Sequence, residues 1–171
     1  MPAQAIVARV HAMAVEVVAS GDGKTVNVAS GVMAGGGIVF TDLRAVSAKS
    51  SDGAPIPPDQ IAVLTAAGVF VARIAGVAPG LDVAVLELPQ AARGIEGPPL
   101  GEGSLAAGDR LLAIRASNQG TALRFEAMRF SVEGWVENRL SMRSPDNGFT
   151  IKRCAVAGCS SAATFGICCA A

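Results

Sequence analysis

The residues of this chain that could do acid–base or nucleophilic chemistry are few and far apart. Asp82 stands in Gly76-Val77-Ala78-Pro79-Gly80-Leu81-Asp82-Val83-Ala84-Val85-Leu86, Arg44 in Gly37-Ile38-Val39-Phe40-Thr41-Asp42-Leu43-Arg44-Ala45-Val46, and Ser160 in Gly158-Cys159-Ser160-Ser161-Ala162-Ala163-Thr164-Phe165. A serine hydroxyl attacks a carbonyl efficiently only when a neighbour takes its proton near pH 7, and histidine does this because it titrates there. A guanidinium stays protonated and offers only donors. The single histidine, His11, precedes the first predicted strand and lies far from these segments in sequence. It is expected to be a surface or partly buried ring with no special role.

All four cysteines fall near the C-terminus, at Cys154, Cys159, Cys168 and Cys169, and their spacing matches no standard zinc site. They read as small buried hydrophobes. A disulfide from Cys154 to Cys168 or Cys169 would require an oxidising compartment. The terminal Cys168-Cys169-Ala170-Ala171 has the outline of a prenylation box without its usual aliphatic second position or a preceding polybasic stretch. No residue pattern calls for a metal or an organic cofactor, so none is expected.

The elements that must position these groups are short strands. Val15, Val17 and Val18 begin a β-branched run that turns through Gly21-Asp22-Gly23 into Thr25–Val28. Strands then fit Gly31–Ala34 and Ile38–Thr41, separated by Gly35-Gly36-Gly37. Ser50–Pro58 is a loop by composition, followed by strands at Ile61–Leu64 and Val69–Ile74. The apolar run Val83–Leu88 should be buried on both faces, and Pro89 closes it. Gly94–Gly103 reads as the crossing between two halves of one domain. Beyond it, strands fit Leu105–Ile114, Leu123–Phe130, Ser131–Asn138 and Gly148–Val156, with Trp135 as core packing. Only Ile6–Ala14 has helical spacing, as a short amphipathic lead-in. The class this predicts is all-β, a barrel or a sandwich.

At 171 residues the chain fits one domain with a real core. Its 14 basic and 14 acidic side chains cancel, so no global field favours nucleic acid or an anionic membrane. Half the residues are hydrophobic, yet no stretch reaches the about 20 mostly apolar residues of a membrane-spanning helix. Met1–Arg9 lacks the basic start and apolar run of a secretory signal.

The Asp82 segment resembles the aspartate segment of trypsin-like serine proteases. Ser30-Gly31-Val32-Met33 followed by Gly37–Val46 resembles the histidine segment of the HtrA/Deg branch of that superfamily, which reads roughly S-G-V-I…G-Y-I-L-T-N-A-H-V-V, with Arg44 in the histidine's place. Leu105-Ala106-Ala107-Gly108-Asp109-Arg110-Leu111-Leu112-Ala113-Ile114 resembles the G-D-x-V-x-A-I-G strand, and Gly158–Phe165 keeps Gly158 and Ser160 of the nucleophile pattern G-N-S-G-G-P-L. The resemblance runs in order from about Ala14 to Phe165.

It implies a trypsin-like double antiparallel β-barrel in a single domain, about 14–93 for the first barrel and about 104–171 for an incomplete second. It also implies a degenerate triad of Asp82 and Ser160, with Arg44 at the histidine position and the amides of Gly158 and Ser160 as the oxyanion-hole candidates. Ser161 and Ala162 replace two glycines of the pattern. Family members carry two further strands after the nucleophile segment, so the second barrel is expected to be open, truncated or completed by a partner. An open edge invites strand addition or self-association.

Cys159 as an alternative nucleophile would draw its second amide from Ala157, with no histidine near in sequence. The function expected is therefore a catalytically impaired, non-catalytic pseudoprotease that binds extended polypeptide between the barrels. The alternatives are a weak or conditional serine endopeptidase and a structural subunit completed by a partner. The resemblance suggests an extracytoplasmic location. Arg44 is expected to pair with Asp82 across the old cleft.

Overall fold

The computed structural model describes residues 11, 13–21, 24–49, 55–79, 82–95, 97, 106–118, 123–136, 139–144, 150–154, 159–161 and 164–170. Eight strands form the first half: β1 (Ala14–Gly21), β2 (Lys24–Gly35), β3 (Ile38–Asp42), β4 (Ala48–Lys49), β5 (Pro55–Ile56), β6 (Gln60–Thr65), β7 (Gly68–Ala78) and β8 (Val83–Glu87). Six of them close into an antiparallel barrel in the order β1-β2-β3-β8-β7-β6, sealed by β6 against β1; β4 and β5 pair apart.

Alternation along the strands builds the barrel's interior, because successive side chains point to opposite faces. Val15, Val17 and Ala19 of β1 meet Met33 of β2, Val39 of β3, Ile61 and Val63 of β6, and Ala84 and Leu86 of β8 in one buried cluster. On β7, Phe70 and Ala72 pack against this cluster while Val69 and Val71 face outward and are exposed. Strand β8 is less completely buried than its apolar run suggests, since Val85 and Glu87 are only partly covered.

The turn between β2 and β3 needs its glycines. Gly35, Gly36 and Gly37 all have positive φ (88, 62 and 78°), a region that side chains with a Cβ rarely occupy.

The second half contains β9 (Arg110–Asn118), β10 (Leu123–Val136), β11 (Arg139–Arg143), β12 (Thr150–Cys154), β13 (Cys159–Ser161) and β14 (Thr164–Ala170). They form one antiparallel sheet in the order β12-β11-β10-β9-β14-β13. A turn at Ala106–Asp109 starts it. The Asp109 carboxylate accepts from the Ala106 amide at 2.8 Å, and the Gly108 amide donates to the Val132 carbonyl at 2.8 Å. The Gly108-Asp109 pair thereby anchors the start of β9 to β10.

The two halves compare strand by strand. In the first, β6 returns to pair with β1, and β7 and β8 carry the sheet round from β6 to β3. In the second, β14 returns to pair with β9 in the same antiparallel sense, with β13 on its far side. Among the described residues the outer strands β12 and β13 of this sheet lie near each other without pairing, whereas the first sheet is closed. The outer side of β1 and β2 lies against β9, and β2 also meets β14. Ala14, Glu16, Ser30 and Val32, which alternate with the barrel's interior residues, are nonetheless buried.

Several expectations differ in detail: β5 falls within the expected loop Ser50–Pro58, and the strand expected at Leu105–Ile114 begins at Arg110, after a turn. Thr25–Val28 and Gly31–Ala34 belong to one continuous strand, β2, and Leu123–Phe130 and the described part of Ser131–Asn138, up to Val136, merge into β10, which bends at an irregularity between Val132 and Gly134. Strand β11 was not anticipated, because Arg139–Arg143 alternates charge with apolar residues over only five positions. Of the lead-in helix, His11 and Met13 are helical and β1 begins at Ala14; Ile6–Val10 lie outside the described residues.

Candidate functional site

The site begins where β3 ends. Thr41 is fully buried, and its hydroxyl donates to the Ser30 carbonyl at 3.1 Å, pinning β3 to β2 one residue before the chain turns. Asp42 then caps the short 3-10 turn Leu43–Val46, its Oδ1 accepting from the Arg44 amide at 2.8 Å. An aspartate at this position satisfies an amide that the turn itself leaves without a partner.

The Arg44 side chain folds back over the same carboxylate. Its Nε donates to Asp42 Oδ1 and its Nη2 to Asp42 Oδ2, both at 3.2 Å. This is a two-pronged guanidinium–carboxylate contact, the geometry that makes arginine more than a point charge.

Asp82 approaches from the next strand. Antiparallel pairing sets Asp42 opposite Val83, and the Leu43 amide donates to the Asp82 carbonyl at 3.1 Å. The Asp82 carboxylate Oδ2 thereby reaches to 3.4 Å from Arg44 Nη2. The structure thus brings Arg44 and Asp82 together, as the sequence leads one to expect, but gives Arg44 a stronger partner in Asp42.

Asp42 was missed by sequence reasoning. The signal lay in Thr41-Asp42-Leu43-Arg44, an N-cap residue type two positions ahead of the arginine. The Arg44 pKa is raised above its ordinary value, first by the hydrogen bond to Asp42 and then by the Asp42 charge, against an opposing effect of burial; the Asp82 charge raises it least. Arg44 is therefore a fixed cation and accepts no proton.

Exposure sets the energetic weight of this cluster. The Asp42 side chain is 11% exposed, Arg44 56% and Asp82 45%. Removing the exposed guanidinium leaves the Asp42 carboxylate, which keeps its hydrogen bond from the backbone amide of residue 44 and is not left uncompensated. Arg44→Ala is expected to lower stability by about 0.5–1 kcal/mol, the scale of a solvated pair.

The backbone of Asp82 has φ +56°, the one positive value at a non-glycine among the described residues. Its amide donates to the Pro79 carbonyl at 3.1 Å, closing a tight turn. Aspartate tolerates the left-handed region better than most residues, whereas an ordinary side chain is strained there by about 1 kcal/mol or more. Asp82→Ala should therefore be about 1 kcal/mol less stable than Asp82→Gly by urea unfolding. Both variants lose the contact to Arg44, so the difference isolates the backbone; equal midpoints would contradict it.

Ser160 belongs to the other half. It lies on β13, opposite Phe165 of β14. Gly158, its partner as oxyanion-hole candidate, lies outside the described residues, as do Gly80 and Leu81 beside Asp82. His11 is partly buried just ahead of β1. Among the described residues no group of three or more potential ligands could hold a metal ion, and no helix is long and apolar enough to cross a membrane.

Comparison with solved structures identifies the fold. The crystal structure of Deg5 superposes with a TM-score of 0.68 over 96% of this chain and 87% of that one, at 17% identity. The Rv3671c protease from M. tuberculosis in its active form gives 0.65 over 100% of this chain and 82% of that one, at 15% identity. The inactive form of Rv3671c gives 0.61 over 98% and 89%, at 16% identity. No protein-family model matches the chain, and no curated protein matches it. The fold is that of trypsin-like, HtrA-type serine proteases.

Proposed function

We propose that this protease-fold chain is a pseudoprotease, which recognises extended polypeptide between its barrel and its second sheet and does not hydrolyse it. The observation that carries the reading is the Arg44 guanidinium, forked onto Asp42 and 3.4 Å from Asp82, at the position where the sequence resemblance puts the general base. A group that is always protonated cannot take the proton of Ser160. Asp82 is then a relic of the triad acid, retained as a structural turn residue and a partner of Arg44.

Strand addition supplies affinity through main-chain hydrogen bonds and does not depend on a reactive hydroxyl. Calorimetric titration with reduced, carboxymethylated casein should give saturable heat, with the same dissociation constant for the parent and Ser160→Ala. No heat at any workable concentration would remove the binding function.

Two other readings have their own support. A weak or conditional serine endopeptidase would use Ser160, Asp82 and the amides of Gly158 and Ser160, and the half-exposed Asp82 carboxylate favours it. Casein cleavage that Ser160→Ala abolishes would select that reading. A structural subunit, completed by a partner or by self-association, is favoured by the second sheet, whose outer strands do not pair among the described residues.

A further inference from the structure

At the opposite end of β8 from Asp82, about 17 Å along the strand, lies a second cluster of charges in a pocket of about 350 Å³. Arg73 of β7 stands directly opposite Glu87 of β8 in the barrel's register, and its Nη2 donates to Glu87 Oε2 at 2.6 Å. Arg93, which follows the 3-10 turn Gln90–Ala92, donates from its own Nη2 to Glu87 Oε1 at 3.0 Å. One carboxylate therefore holds two guanidinium groups.

The placement of Arg93 is built into the fold. Its stem runs over Gly37, where a Cβ would come within 3.2 Å of Arg93 Cγ, so the glycine leaves the channel in which the side chain lies. The rest of the lining is Val71, Ala72, Leu88 and Pro89, with the polar Gln90 beside them.

We infer that this pocket is a binding site for a carboxylate carried on an apolar group. Among the described residues Glu87 neutralises one of the two arginines and leaves a net positive charge. Each guanidinium has five N–H donors, and among the described residues its side-chain hydrogen bonds go to Glu87, so several donors on each point elsewhere. A carboxylate would meet these donors as Glu87 does, and its apolar group would cover Val71 and Pro89. The volume lies at the lower end of the range for small-ligand sites. The site is independent of the reading given for Arg44 and Asp82. Two sources share this ligand chemistry: a free aliphatic or aromatic acid, and the C-terminal residue of a polypeptide.

The test is an NMR titration of the full chain with three probes: N-acetyl-leucine, its uncharged amide N-acetyl-leucinamide, and 4-methylpentanoate. N-acetyl-leucine should bind with a dissociation constant of about 1 mM, the scale for a dozen heavy atoms, and shift resonances of β7, β8 and the Gln90–Ala92 turn. The amide should bind at least about tenfold more weakly, as expected when a charged hydrogen-bond acceptor is removed. Binding of 4-methylpentanoate as well would mark the free acid as a sufficient ligand, and binding of N-acetyl-leucine alone would mark the polypeptide terminus.

Arg73→Gln and Arg93→Gln should each weaken binding about tenfold. Glu87→Gln should tighten it, because the internal competitor loses its charge. A merely structural ion-pair cluster would show no such gain. Equal binding of acid and amide, no binding of either, or weaker binding by Glu87→Gln would overturn the assignment.

Discussion

Gly97→Ala is expected to destabilise the chain by about 3 kcal/mol, at the upper end of the range for overpacking. Gly97 lies in the crossing that leads out of the barrel, and its backbone rests on the end of β2. A Cβ there would press on the Gly35 nitrogen and the Ala34 carbonyl carbon far inside contact distance, and would come within 2.7 Å of the Ala34 oxygen. All three are backbone atoms, so no side chain can swing aside. The end of β2 has little room to yield, because Gly35 pairs with Ile38 and is already committed to φ +88°.

Gly94→Ala is the matched control, since nothing lies within 4 Å of a Cβ built there. Urea unfolding should leave Gly94→Ala within about 0.5 kcal/mol of the parent. Equal midpoints for the two variants would contradict this close approach.

The second large effect is on reactivity at Ser160. A positioned general base contributes about 10²- to 10⁴-fold to proton-transfer catalysis, and a guanidinium contributes none of it. Arg44→His puts an imidazole on the 3-10 turn, next to the Asp82 carboxylate that lies 3.4 Å from the present guanidinium. Asp42 still caps the turn, because that contact runs through the backbone amide of residue 44. Reactivity should therefore rise from nothing detectable to a measurable rate, and increase with pH as the imidazole loses its proton.

Much of the barrel was legible because its strands are β-branched and alternate. Val15 and Val17 point inward, as do Ile61 and Val63, and the glycine run at Gly35–Gly37 admits little besides a turn. The proximity of Arg44 to Asp82 was legible through the order of the motif segments, since Arg44 lies just after β3 and Asp82 just before its neighbour β8.

Other features depend on register, which composition does not encode. The two-pronged grip of Asp42 on Arg44 requires the turn to place an amide and a guanidinium on the same side of one carboxylate. The meeting of Arg73 with Glu87 requires strands β7 and β8 to align across a local irregularity between Ile74 and Gly76. Neither followed from residue type alone. The exposed face of β7 was also hidden, because Val69 and Val71 read like core residues in a linear sequence.

The measurement that bears most directly on the account is labelling of the purified chain with a fluorophosphonate probe, beside Ser160→Ala and Arg44→His. The account predicts no labelling of the parent or of Ser160→Ala, and labelling gained by Arg44→His. Labelling of the parent that disappears in Ser160→Ala would contradict it, because Ser160 would then have a working base despite the cation at position 44.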